Sequence, residues 1–238
     1  MTKIAMPNST PETSLIAPRW HTWLLAALFL ALALSGALFQ RHALTEPATV
    51  SQHHNMAPLY LSLIVMEWGL VLYVWKGTRR AGATLRGIIG GRWARPTDVI
   101  VDVAIGIGCW GIWRLVELIW NHWFGLSHPD SINAMLPRGA IETVLWIALS
   151  ISAGFCEELT FRGYFLRQWT AMTRSPWLGL LLQAALFGIA HGYQGMGACL
   201  GIAAYGAGAG LLAIWRKSLR PGMLGHAWTD IASGLFGL

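Results

Sequence analysis

Residues 141–162 read IETVLWIALSISAGFCEELTFR, and this stretch decides what kind of chain it belongs to. A run this apolar that ends on two acids and an arginine does not suit the one-faced helix of a soluble domain. Apolar residues make up 55% of the 238 residues and charged ones only 12%, about half the charge of an average soluble domain. The mean hydropathy of +0.48, with 27 Gly and 14 Trp, fits a chain whose main solvent is lipid. The expected fold class is therefore all-α, a polytopic transmembrane helical bundle.

A hydrocarbon core of about 30 Å takes about 20 residues of helix. Seven stretches approach that length: 20–39, 58–75, 99–120, 139–157 and beyond, 177–191, 196–215 and 222–238. About seven spans are expected, with six to eight as the range. Residues 1–19 read as a flexible cytoplasmic tail and 20–138 as N-terminal transmembrane helices. The first apolar run has no small-residue cleavage site after it and is read as a retained span.

Lysine and arginine orient these spans, because cytoplasmic loops collect positive charge. The tail carries Lys3 and Arg19, and the second connection Lys76, Arg79, Arg80, Arg86, Arg92 and Arg95. The fourth connection is assigned Arg162, Arg167 and Arg174, and the sixth Arg216, Lys217 and Arg220. Only Arg41 and Arg138 fall opposite, with Arg114 inside a span, so the N-terminus is expected in the cytoplasm. The net charge of +6 lies in short clusters between apolar stretches. That pattern suits anionic lipid headgroups, and nucleic acid is not an expected partner.

Ionisable groups at lipid depth are expensive and mark candidate sites. Glu158 and Arg162 stand four apart, acid first, the favourable helical order for an ion pair. Glu157 is left without a local partner and projects about 100° away around an α-helix. Further on, Phe187 and His191 share a helix face, as do His226 and Asp230. If the cytoplasmic interface crosses near Arg167, Gln183 and Pro221, helical rise puts Glu157, His191 and His226 roughly 15, 12 and 8 Å deep. Starting the fifth span at Trp177 instead carries His191 too far outward. That helix must begin outside the lipid, or be shifted or re-entrant.

These motifs, Glu-Glu-x3-Arg, Phe-x3-His and His-x3-Asp on successive apolar helices, resemble the CPBP family of intramembrane proteases. The family, also called Abi or CAAX protease and bacteriocin-processing, includes the type II CAAX prenyl endopeptidases. The resemblance covers about residues 141–238 and makes 139–238 the expected catalytic transmembrane core. It implies that Glu157 activates the attacking water with help from His191, while His226 and Asp230 stabilise the oxyanion. Glu158 and Arg162 are then structural, with Phe187 supporting. Many relatives carry an amide at position 230, and Asp230 can donate only when protonated, so orienting His226 is its other expected task. No cofactor is expected. The alternative is a zinc ion on Glu157, His191 and His226 with an open fourth position, but that set consumes the obvious base.

The expected partners are membrane lipid and a membrane-associated protein or peptide, cut in the manner of a CAAX tail, a leader or a sorting tail, in a bacterial plasma membrane. The rival from another class is a noncatalytic membrane immunity or interaction protein whose polar residues pack its helices. Cys156 with His191 as a thiol protease is disfavoured because two neighbouring carboxylates oppose thiolate formation. Glu67, Asp102, Arg114 and Glu117 raise an ion pathway, although Arg114 and Glu117 are spaced to pair. Cys109, Cys156 and Cys199 show no disulfide or zinc spacing. His42, His53 and His54 are read as a solvated loop. Trp20, Trp68, Trp75, Trp120, Trp123, Trp177 and Trp215 are read as an aromatic belt. Gly206 and Gly210 form a GxxxG face for close helix approach.

Overall fold

The structure is a computed structural model that describes residues 14–45, 55–124 and 135–237. Among them every regular element is helical. The expected tail through residue 13, His53, His54 and the side chains of Arg41, His42, Trp120 and Trp123 lie outside the described residues. The helices are α1 (Arg19–Thr45), α2 (Ala57–Arg80), α3 (Leu85–Ile89), α4 (Pro96–Phe124) and α5 (Ala140–Glu157). A π-helical segment, Glu158–Phe165, leads into α6 (Leu166–Thr173), followed by α7 (Pro176–Ala190), α8 (Met196–Arg216) and α9 (Arg220–Phe236). Five runs are long and apolar enough to cross a membrane: 19–38, 57–80, 96–119, 140–173 and 196–216. Helix α7 is apolar but only 15 residues long, and α9 has 17 residues; counted with the five, they make about seven spans.

The run of residues 140–173 is longer than a span needs because α5 continues through the π segment into α6. Arg162 therefore does not lie in a cytoplasmic connection, as its charge implied. It is 1% exposed inside the bundle, and Arg167 is also helical. The chain turns at Arg174, which adopts a left-handed φ of 57°, and Ser175 caps α7 by accepting from Leu178 N. Arg167 Nη2 donates to Ile88 O and Leu219 N to Ile89 O, so Arg167, α3 and the start of α9 share one level. The turn at Arg174 lies beyond that level, and α7 starts outside it.

Close helix approach is built on glycine. A Cβ on Gly154 of α5 would lie 2.7 Å from the backbone of Ala227 and Met223 on α9. On α8, a Cβ on Gly210 would lie 2.4 Å from Leu180, and one on Gly206 would lie 3.1 Å from Phe187. The GxxxG face thus packs against α7, as its spacing implies. Tyr164 Oη meets His21 Nδ1 at 2.7 Å, and Gln168 Nε2 donates to Ala17 O, tying the π segment and α6 to the start of α1.

Two sequence expectations change in detail. Trp68 is more than a belt residue: its Nε1 donates to Ser152 Oγ and its ring stacks on Phe155. Asp102 is buried and accepts from Trp93 Nε1 and Arg216 Nη2, both at 2.8 Å, and Arg114 pairs with Glu117. Three of the four groups raised as an ion pathway are therefore held in local pairs.

Candidate active site

Three helices bring the polar groups together. The end of α5 and the first π turn carry Glu157, Glu158 and Arg162, and α9 runs antiparallel alongside with His226 and Asp230. Gly222, one turn before His226, leaves room for the Glu158 carboxylate, since a Cβ there would come within 3.1 Å of Oε2. Helix α7 enters from the other side. Glu157 lies as far before the Arg174 turn as His191 lies after it, and Gly179 packs on Thr170 and Leu166 across that hairpin. This register sets His191 at the level of Glu157, and the cause is the helical extension past Arg167.

His226 is the centre of the cluster. Its Nδ1 lies 3.1 Å from Glu158 Oε1, and because a carboxylate accepts, Nδ1 carries the hydrogen. Its Nε2 is turned to the space between Glu157 Oε2, at 3.7 Å, and Asp230 Oδ2, at 3.6 Å. The ion pair between Arg162 Nη1 and the same Glu158 oxygen measures 3.2 Å, with both side chains almost wholly buried. Arg162 also sits 4.1 Å above the Phe187 ring, a desolvated cation–π contact worth about 2 kcal/mol. The spacing of Glu158 and Arg162 was legible in the sequence. The hold of Glu158 on His226, across 68 positions, was not.

His191 stands apart from this cluster. Its Nδ1 donates to Phe187 O at 2.8 Å, which leaves Nε2 with a lone pair in the neutral ring. The Phe187 ring lies between the two histidines, edge to face with His191 at 4.9 Å and with His226 at 6.1 Å. Sequence reasoning missed Tyr205, whose ring is 5.5 Å from that of His226. It carries no motif. The zinc set Glu157, His191 and His226 is not assembled: among the described residues no three His, Cys, Asp or Glu side chains converge to hold a metal.

Cys156, beside Glu157, is buried in an apolar cluster with Val71, Ile88, Leu159 and Leu219, a packing role. Glu157 and His226, 3.7 Å apart beside the end of an apolar helix, are groups with the chemistry for acid–base work on an acyl bond. Comparison with known proteins points the same way. Residues 139–232 match the family model described as Type II CAAX prenyl endopeptidase Rce1-like.

Over these residues the chain is similar to the type II CAAX prenyl endopeptidases.

The match takes in every residue of the cluster, while α1 to α4 lie outside it. No curated protein and no solved structure matches the chain. With five helices long and apolar enough to span a bilayer, the CAAX-protease relationship makes this an integral membrane protein.

Proposed function

We propose that the chain is an intramembrane endopeptidase in which Glu157 is the general base. Glu157 takes a proton from water as the water oxygen bonds to the scissile carbonyl carbon. The carbonyl electrons move onto oxygen, and the imidazolium form of His226, with Nδ1–H held by Glu158, donates through Nε2–H to that oxyanion. Collapse of the intermediate breaks the C–N bond, and Glu157 returns the proton to the departing amine, so the site ends as it began. His191 Nε2 assists by accepting from the water. Asp230 orients His226 or, when protonated, adds a second donor. The observation that carries this reading is the placement of His226, fixed by Glu158 at Nδ1 with Nε2 beside Glu157. A base of this kind contributes about 10²- to 10⁴-fold to rate.

The proposed substrate is a membrane-associated protein or peptide that presents an extended segment to the cytoplasmic half of the bilayer. The proposed setting is a bacterial plasma membrane, with the N-terminus in the cytoplasm. Hydrolysis is proposed to need no metal, so activity should survive exhaustive chelation; activity restored only by added zinc would overturn that part. The main test compares protein termini in host membranes carrying wild type or Glu157→Gln at matched levels. Termini that disappear with Glu157→Gln are expected, and their flanking residues would name the substrate. Identical termini from two folded proteins would instead indicate a noncatalytic membrane partner.

A further inference from the structure

One buried acid is not explained by the mechanism above. Glu67 lies in the middle of α2, outside the residues that match the protease family, and is only 6% exposed. Its Oε2 atom is buried without a hydrogen-bond partner among the described residues. Leaving a carboxyl oxygen unsatisfied at such depth costs free energy, and an apolar residue such as Leu would avoid it. The chain keeps an acid where packing alone would not.

The register of α2 against α5 shows where that acid sits. The two helices run parallel: Met56 N bonds Glu142, the Tyr60 ring meets Trp146 at 5.5 Å, and Trp68 bonds Ser152 and stacks on Phe155. One turn further, Val71 packs with Cys156 and Leu159. Glu67 is thus level with the last turns of α5, just before Glu157. Helix α9 flanks α5 as well, with Trp146 Nε1 donating to Asp230 O. Glu67 lies within electrostatic range of Glu157, Asp230 and His226.

We propose that Glu67 is a positioning residue of the active centre, contributed by the N-terminal helices. Its carboxyl group reaches the polar interior that holds Glu157 and fixes the hydrogen-bonded arrangement from which Glu157 takes the proton of water. This rests on the reading of Glu157 as the base. It also gives the N-terminal helices a share in the chemistry that the family match does not assign to them.

The test uses the full-length protein reconstituted in lipid, with Glu67→Gln, Glu67→Asp and Glu67→Leu beside Glu157→Gln. The infrared carboxyl bands of Glu157, assigned by their loss in Glu157→Gln, are expected to move in Glu67→Gln and Glu67→Leu and to return toward wild type in Glu67→Asp. Glu67→Leu is expected to melt at or above the wild-type temperature. In host membranes, termini that depend on Glu157 should fall about 10- to 100-fold in rate for Glu67→Gln, within the range of a lost acid–base contribution. They should recover partly in Glu67→Asp. Unmoved Glu157 bands in folded Glu67→Gln would overturn the proposal, as would an unchanged cleavage rate. If no termini depend on Glu157, the protease reading fails, and the infrared comparison still decides whether the two carboxyl groups are coupled.

Discussion

A single carboxylate oxygen, Glu158 Oε1, holds both Arg162 Nη1 at 3.2 Å and His226 Nδ1 at 3.1 Å. The residue that answers a buried guanidinium on its own helix thereby also sets the ring orientation of the histidine across the interface. Stability and the proposed catalytic geometry share one atom and can be separated by experiment.

Glu158→Gln should destabilise the fold by about 3–5 kcal/mol, because it leaves Arg162 buried and uncompensated. The double variant Glu158→Leu, Arg162→Leu removes both charges and should recover most of that loss while remaining inactive, since His226 still lacks its Nδ1 acceptor. Thermal melting in detergent and cleavage by the same preparations distinguish the two effects. Recovery of both together would show that Glu158 matters only for folding.

The contact between α5 and α9 is expected to be intolerant of even one methyl group. A Cβ at position 154 would press on backbone atoms of α9, which cannot swing aside as a side chain can. Gly154→Ala should cost about 1–3 kcal/mol. It should also lower the cleavage rate by widening the gap between Glu157 and His226. Melting temperature and rate measured on the same sample check this, and an unaffected rate in a destabilised protein would separate packing from geometry.

In the proposed mechanism a donor or an orienting acceptor at position 230 serves equally well. Asp230→Asn keeps a polar group next to His226 Nε2, now 3.6 Å away, and should retain activity within about 10-fold. Asp230→Leu provides neither and should lose about 10²-fold, the usual cost of one oxyanion donor. Equal rates for the two variants would remove position 230 from the mechanism.

Arg114 and Glu117 pair within α4 and should be dispensable for cleavage. The double variant Arg114→Ala, Glu117→Ala is expected to cleave within about 2-fold of wild type, as removal of a partly exposed pair commonly changes little. A large loss, read as disappearance of Glu157-dependent termini, would reopen a transmembrane charge pathway.

Much of the site was legible because helical spacing speaks locally. Glu158 with Arg162, His226 with Asp230, and Phe187 with His191 each sit four apart and meet as that spacing implies. The same rule could not disclose that Glu158 reaches His226, because that contact depends on how α5 and α9 are phased. Charge counting gave the spans only an expected orientation, and it placed Arg162 in a loop, since a buried arginine and a cytoplasmic one look alike in a tally. Glu67 was visible as an acid at lipid depth. Nothing in its neighbours along the chain linked it to Glu157, because the link is the parallel register of α2 on α5.

The π segment, Glu158–Phe165, carries i→i+5 bonds in place of the usual i→i+4. It acts as a phase adjuster within one continuous rod: upstream the rod aims Glu157 into the polar interior, and downstream it aims Gln168 at the start of α1. Losing one residue there would rotate the two ends against each other by about 100°. Either the carboxylate or the α1 anchor would then be mis-aimed, even with every side chain in both places intact. The aim of both ends thus depends on the number of residues in this stretch as much as on their kinds, so a deletion within it should do more harm than most substitutions.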